Sequence, residues 1–334
     1  MKAWKLTKYG DFEKGLKLTD AQKPVPADDE VLLKVHSAAI NPVDYKIAEG
    51  QLRLIYNQSL PAGLAFDCSG TIESSGKNVS HLKVGDDVFC CTPTDSPGVI
   101  QEHVCVKAKL VAAIPYNMNM PEAASMPMVG LTTLSCLEAI ELKPGEKILI
   151  HAGSGGVGSF AVQYASKLGA EVYTTTSTTN VDWVKQLGAE KVIDYTSQKY
   201  MEEVSELDVV FDTLGGKFTT EAFELLKPGG RVVSIAGRRL DETTARQYGL
   251  NWFFRMIMKW QMRPIKKLCK KHKATYKFIL NEPDGERLKR LKNAIEEGNT
   301  QAVINKQYPF LAVKEAFEMQ QSGRSKGKNV ISIG

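Results

Sequence analysis

Residues 147–165 read KILIHAGSGGVGSFAVQYA, and no other stretch restricts the fold as tightly. Ile148 to Ile150 and then His151 suit the end of a buried strand. Glycines come next at 153, 155, 156 and 158, after which Phe160, Ala161, Tyr164 and Ala165 recur at helical spacing. This is strand, glycine turn and helix. The spacing Gly153-x-Gly155-x-x-Gly158 lets bare backbone approach a pyrophosphate, which sits at the positive end of the adjoining helix. The stretch therefore predicts a dinucleotide site, with both flanks in agreement.

Beyond residue 165 the chain alternates strand and helix. Strands are expected at 171–176, 191–194, 208–212 and 231–236, and helices at 181–187 and 219–226. Such alternation implies βαβ units and a parallel sheet with helices on both faces, whose ligands collect at the carboxyl ends of the strands. The N-terminal part has a different texture. Residues 1 to about 120 carry short β-like runs (Val31–Val35, Gly70–Ile72, Asp87–Phe89, Val104–Val106) separated by Pro and Gly turns, which predicts a β-rich, partly barrel-like domain.

The length of 334 residues suits two domains, and no run approaches a membrane span. The start, MKAWKLTKYG, has no apolar run behind its charges, so no secretory signal is expected. Six cysteines form no CxxC pair, which suits free thiols in a reducing, cytoplasmic setting. Ten of the 43 basic residues fall between 243 and 281, a span with no acid, and the rest of the chain is net acidic. The basicity is thus one local feature and not a nucleic-acid footprint of the whole chain.

NAD sites place an Asp or Glu about 20 residues past the glycines, at the end of the second strand, to hold the ribose 2′-hydroxyl. Here that strand ends in Thr174-Thr175-Thr176-Ser177-Thr178-Thr179-Asn180. A carboxylate would repel a 2′-phosphate, whereas hydroxyls and an amide can donate to one, so the pattern favours NADPH. The same residues also suit a helix cap near Asn180.

The chain resembles the zinc-independent quinone oxidoreductase and enone (alkenal) reductase group of the medium-chain dehydrogenases/reductases. The resemblance rests on Asn41-Pro42-Val43-Asp44-Tyr45-Lys46, Gly63-Leu64-Ala65-Phe66-Asp67-Cys68-Ser69-Gly70, Gly85–Val88, Gly130–Thr133, His151–Gly158, Leu187–Ala189 with Val192–Tyr195, and the tail from Ala316-Phe317 to Gly327-Lys328. It implies an α/β protein: a GroES-like β-rich catalytic domain (1–120 and 275–334) around an inserted Rossmann domain with a doubly wound parallel sheet (121–274). It also implies a homodimer and cofactor contacts from Lys46, Thr132, Thr133, Gly155, Gly156, Val157, Gly158, Ser177, Thr178, Tyr195, Leu214, Ile235, Ala236 and Lys328. Lys46 and Lys328 would act as cations near phosphates and Tyr195 as a donor at the 2′-phosphate. Zinc members carry a catalytic Cys near Asn41 and a His-Glu pair where this chain has Phe66-Asp67, so no metal is expected.

Hydride transfer without a metal suits an acceptor that is already electrophilic, because negative charge then develops on a conjugated oxygen. The resemblance therefore implies NADPH-dependent reduction of quinones, or of the C=C bond of α,β-unsaturated carbonyls. Tyr45 and Asn41, with Lys46, are the expected donors to that oxygen. The stretch 251–273, NWFFRMIMKWQMRPIKKLCKKHK, is least explained by the resemblance. It reads as a helix over the substrate cleft or at a dimer contact, or as a peripheral attachment to an anionic membrane. Nucleic-acid binding is the third reading of the stretch, and a non-enzymatic NADPH-binding protein acting through it at a membrane or nucleic acid is the rival from another class.

Overall fold

The computed structural model describes residues 1–53, 56, 58–237, 252–298 and 300–334, with Phe254 described in its backbone only. The chain divides into two compact units, Met1–Leu131 with Glu282–Gly334, and Thr132–Asn281. Residues 121–131 thus join the first unit and 275–281 the second.

The first unit is β-rich. Strands β1 (Lys2–Leu6) and β2 (Leu16–Asp20) form an antiparallel ribbon around the short α1 (Phe12–Gly15). The larger sheet is built on β3 (Glu30–Ile40), EVLLKVHSAAI, whose branched and aliphatic side chains are nearly all buried. β3 pairs antiparallel with β4 (Asp67–Ser75), β6 (His103–Lys107) and β15 (Lys328–Ser332). The sheet runs β14 (Ile304–Pro309), β15, β3, β4, β5 (Asp87–Cys91) and β7 (Val111–Ala113), with β6 off this path. Register shifts between Leu32 and Leu33 and between Val35 and Ser37 bend β3 against β4.

The register places three distant residues at one end of this sheet. Ile40 of β3 lies opposite Asn329, and Ala39 opposite Asp67. Asn41, Asp67 and Lys328 therefore meet, although the sequence separates the first and last by 287 positions. Helix α2 (Pro42–Ala48) starts directly after Asn41, with Pro42 in its first turn. Helices α3 (Met120–Ser125), α11 (Gly285–Gly298) and α12 (Val313–Gln321) complete the unit.

The second unit holds a six-stranded, all-parallel sheet in the order β10 (Lys191–Asp194), β9 (Glu171–Thr176), β8 (Lys147–Ile150), β11 (Leu207–Asp212), β12 (Leu226–Ser234) and β13 (Thr275–Phe278). Counted from β8, this is the dinucleotide-binding order 3-2-1-4-5-6. Alternate side chains serve opposite faces. Ile148, Ile150, Val209, Phe211 and Val233 pack with Cys136 and Leu137 of α4 (Pro127–Ala139) and with Ala161 and Val162 of α5 (Gly156–Lys167). Leu149, Val210 and Val232 face the other way. There they meet Tyr200 of α7 (Tyr200–Glu203), and Ile265 of α10 (Arg263–His272), the helix after α9 (Trp252–Gln261). Both faces are covered, as expected of strands that read as continuous apolar runs.

Two local expectations are corrected. The helix expected at 219–226 is α8 (Lys217–Glu221) and then a 3-10 turn, and Leu226 already begins β12. The strand expected at 231–236 is β12 (Leu226–Ser234), which leaves Ile235 and Ala236 just beyond it, while the helix expected at 181–187 is found as α6 (Val181–Gln186).

Candidate functional site

In the second unit the carboxyl ends of β8 to β12 form an edge, and the glycine turn crosses it. Gly155 caps α5, and the close approach is enforced by sterics. A Cβ on Gly158 would stand 2.1 Å from the Ala152 carbonyl oxygen, and one on Gly153 2.2 Å from Thr174 Oγ1. Gly156, Val157 and Gly158 thus present the first-turn N–H groups of α5, the partial positive end suited to a pyrophosphate, while the N–H of the capping Gly155 is bonded to the Ala152 carbonyl (2.9 Å). His151, before the turn, is fully buried between Tyr200 (5.1 Å) and Phe218 (5.3 Å). Burial pushes its pKa down to about 4, so it serves as a neutral packing residue.

The remaining expected contacts of this unit lie after the strand ends and on α4. Ser177 ends the β9 segment half-buried, its hydroxyl accepting from Asn180 Nδ2 (3.0 Å) and keeping its own proton to donate. Tyr195, one residue past β10, leaves its ring 60 % exposed while its N–H bonds the Thr176 carbonyl (3.0 Å). Leu214 is exposed after β11, in a turn tied down by Asp212. That buried carboxylate accepts from the N–H groups of Leu214 and Gly215 and from Thr219 and Ser234. Ile235 and Ala236 lie just after β12, half-buried. Thr132 and Thr133 lie buried on α4, and among the described residues the Thr133 hydroxyl has no partner.

Thr178 is placed differently from expectation. Its hydroxyl donates to Asp194 Oδ2 (2.7 Å). The Asp194 carboxylate also accepts from Thr196 N–H (3.0 Å), Thr196 Oγ1 (2.7 Å) and Ser197 Oγ (3.1 Å). The Thr196 and Thr178 hydroxyls hold its pKa down at about 2. The acid missing from β9 is thus supplied by the neighbouring strand, since Asp194 pairs in register with Thr176. A search along the second strand alone misses it; the signal available was the Asp194-x-Thr196 turn pattern.

In the first unit the catalytic candidates separate. Asn41 is buried, its Nδ2 donating to Asp67 Oδ2 (2.9 Å) and its Oδ1 accepting from Lys328 Nζ. Lys328 is itself buried and 3.2 Å from Asp67 Oδ2; Asp67 Oδ1 accepts from the Met128 N–H (3.0 Å). Asn41 and Lys328 are therefore members of an internal charged network. Gly327 makes this placement possible: its φ of 74° brings it within a Cβ's exclusion distance of the Val303 carbonyl, 2.0 Å. Asp44, fully buried, accepts the Asn41 N–H at 2.6 Å, and burial raises its pKa to about 8. Burial likewise raises Asp67, against the pull of Lys328.

Tyr45 and Lys46 remain as surface-reaching groups on α2. Both are half-buried, with Lys46 Nζ 6.0 Å from the Tyr45 ring centre. Burial raises the Tyr45 pKa and lowers that of Lys46. Among the described residues nothing pairs with the Tyr45 hydroxyl, so it is the free donor that Asn41 is not.

Residues 27–116 match the alcohol dehydrogenase GroES-like domain and residues 187–331 the zinc-binding dehydrogenase domain. Over 99 % of its length the chain is 32 % identical to 2-methylene-furan-3-one reductase of Solanum lycopersicum, covering 79 % of that protein. The chain belongs to the medium-chain dehydrogenase/reductase family. Within it, the NADPH-dependent alkenal/one oxidoreductase of Arabidopsis thaliana is 30 % identical over 99 % of this chain and 79 % of its own. The quinone oxidoreductase of Coxiella burnetii superposes with a TM-score of 0.86 at 30 % identity, covering all of this chain and 99 % of that one. The domain model matched over residues 187–331 is described as zinc-binding. The Asp67 carboxylate is met by Lys328, Asn41 and a backbone N–H, and among the described residues no three His, Cys, Asp or Glu side chains gather as ligands.

Proposed function

We propose that this oxidoreductase uses NADPH to deliver a hydride to quinones, with the C=C bond of α,β-unsaturated carbonyls as the second acceptor class. The observation that carries the cofactor is the free α5 N-terminus at the switch point of a 3-2-1-4-5-6 sheet, flanked by the exposed Tyr195 hydroxyl. Four hydrogen bonds from Thr178, Thr196 and Ser197 occupy the Asp194 oxygens, so this carboxylate is not left free to accept from a ribose 2′-hydroxyl as the acid of an NAD site does. Ser177 and Tyr195 are the donors proposed for the 2′-phosphate. The acceptor class is supported by relatives named for quinone and for alkenal/one reduction.

The cofactor, when bound, supplies the hydride. The Tyr45 hydroxyl then donates to the acceptor oxygen as charge builds on it. Lys46 adds a cation within the same helix turn. Lys328, Asp67 and Asn41 hold the start of α2 in place from beneath, which fixes the direction of Tyr45. Asn41 acts here as a positioning residue. We take the protein to be a homodimer, for which β13 offers a sheet edge unpaired among the described residues, and to work in a reducing compartment such as the cytoplasm, given six free thiols. Among the described residues no helix is long and apolar enough to cross a membrane.

Rates of NADPH and NADH oxidation with a benzoquinone and with a short enal or enone test the reading. Quinone turnover with NADPH above that with the enal supports it, and the reverse order moves the function to enone reduction. No turnover with either, alongside intact NADPH binding, refutes the enzymatic reading; equal use of NADH refutes the cofactor choice.

A further inference from the structure

Four large apolar side chains on α9 stand in solvent: Trp252 (69 % exposed), Phe253 (53 %), Met256 (58 %) and Trp260 (66 %). Trp252, Met256, Lys259, Trp260 and Arg263 succeed one another at helical spacing, so aromatic rings and cations share one side. The next helix, α10, turns Ile265 into the core and leaves Lys266, Lys267, Lys270 and Lys271 exposed. Among the described residues only Lys271 of these four meets an acid, Glu224 at 2.9 Å. A solvated helix normally mixes signs or alternates them, but this pair carries no acid from 252 to 273. The core does not require the arrangement. Met262 and Ile265 anchor the pair to the sheet, and the aromatic rings contribute nothing to that contact.

Exposed rings within a ring of cations are the signature of a helix lying in a lipid headgroup layer, where indole and thioether enter the acyl boundary and ammonium groups meet phosphates. We propose that α9 and α10 seat this protein on an anionic phospholipid membrane, peripherally and reversibly. The occupant is fixed by charge complementarity together with the large rings. A purely electrostatic partner would not call for two exposed tryptophans and a methionine, and a purely apolar partner would not call for the lysines. The inference goes beyond the proposed reaction and does not depend on it. It gives the enzyme access to acceptors dissolved in the bilayer.

The test is co-sedimentation of the full chain with vesicles of phosphatidylcholine alone and of phosphatidylcholine with phosphatidylglycerol at about a third of the lipid, the anionic share that sets the surface potential. It is run at low and high salt, with tryptophan emission measured in parallel. Each surface cation contributes about fivefold to partition onto an anionic bilayer, so Lys259→Gln/Lys266→Gln/Lys270→Gln lowers binding by roughly a hundredfold. These lysines are outside the core, and circular dichroism checks that the fold is kept. Wild-type protein is expected to pellet only with the anionic vesicles, to be released by salt, and to shift its emission to the blue. Trp252→Ser/Trp260→Ser should abolish that shift and weaken binding. The proposal is overturned by no pelleting at low salt, by equal pelleting on neutral vesicles, or by the triple variant binding as well as wild type. It is equally overturned if a duplex oligonucleotide of matched charge displaces the protein from vesicles, which would assign the surface to nucleic acid. Burial of both tryptophans in a dimer that ignores vesicles would assign it to a second copy.

Discussion

Asp44→Asn tests the buried network through its proton. Asp44 is completely enclosed, with Oδ2 receiving the Asn41 N–H and, among the described residues, no partner for Oδ1. Burial lifts its pKa from 3.8 to about 8, partly offset by the Asn41 N–H and the nearby Lys328. The folded protein therefore keeps a proton on Asp44 at neutral pH that the unfolded chain releases above pH 3.8. The native state binds more protons than the unfolded one throughout that window, so stability falls as pH rises from about 4 to about 8 and levels off beyond. Each pKa unit corresponds to about 1.36 kcal/mol, so wild type loses about 4 kcal/mol between about pH 5 and about pH 8 through this one group. Asparagine reproduces the shape of the neutral acid, can accept the same Asn41 N–H through its oxygen, and does not titrate. Hydrogen exchange of the β3 and α2 amides, compared between variant and wild type at each pH so that intrinsic rates cancel, reads the opening free energy of this unit. The variant should gain on wild type steadily across that pH range. A gap of the same size at both ends would mean that Asp44 is ionised in the folded state, and the network would have to hold a second buried carboxylate.

The same geometry supports three shorter predictions. Gly158→Ala drives a methyl into the Ala152 carbonyl, a backbone atom that cannot yield cheaply, and should weaken NADPH binding at least tenfold in a fluorescence titration; unchanged affinity would refute the steric reading. Tyr195→Phe removes one donor to a charged group at an exposed site, and should weaken NADPH about tenfold while leaving NADH unchanged, as measured by competition between the two. Lys328→Met strands the Asp67 carboxylate without its cation and should cost roughly 3–5 kcal/mol in thermal unfolding, with Asp67→Asn added to it restoring part of the loss. A Lys328→Met protein as stable as wild type would show that the pair contributes nothing.

The second unit was legible from sequence because its chemistry is local. Ile148 to Gly158 contains a strand, its turn and the start of its helix in one short run, and the glycines at 153 and 158 are required by contacts with Thr174 and with the nearby Ala152 carbonyl. Ser177, Tyr195, Leu214, Ile235 and Ala236 each come just after a strand end, although the strand expected at 231–236 encloses the last two and only the resemblance points to Tyr195. Sequence and structure part where an interaction crosses strands. Asp194 reaches Thr178 because β10 lies beside β9, a pairing that no spacing along the chain encodes. Apolar periodicity also could not separate α8 from the 3-10 turn after it, because the strand β12 begins at Leu226 and cuts the helical pattern short.

The first unit hid its chemistry for a different reason: its charged residues look like surface residues until the fold buries them. A lysine or aspartate is almost never fully enclosed unless paired, so Lys328 and Asp67 read singly as solvated charges. Strand register overrides that reading. Once β15 returns to lie against β3, Lys328 stands next to Asn41, and the β3–β4 register brings Asp67 to the same end. The ammonium and the carboxylate then meet at 3.2 Å with the Asn41 amide bonded to both, while Asp44 turns inward from the first turn of α2. Burying these charges costs more than their attraction returns unless a specific geometry is needed. The side chain that profits is Tyr45, on the helix whose first turn the network fixes, half-buried and, among the described residues, with its hydroxyl free. The run Asn41 to Lys46 is thus one device with two parts. Asn41 and Asp44 face inward and hold the helix start, and Tyr45 and Lys46, half-buried, are the groups we propose for the acceptor. An Asn41→Ala protein that keeps the α2 exchange pattern of wild type, yet loses quinone turnover, would reverse this division and return Asn41 to direct contact with substrate.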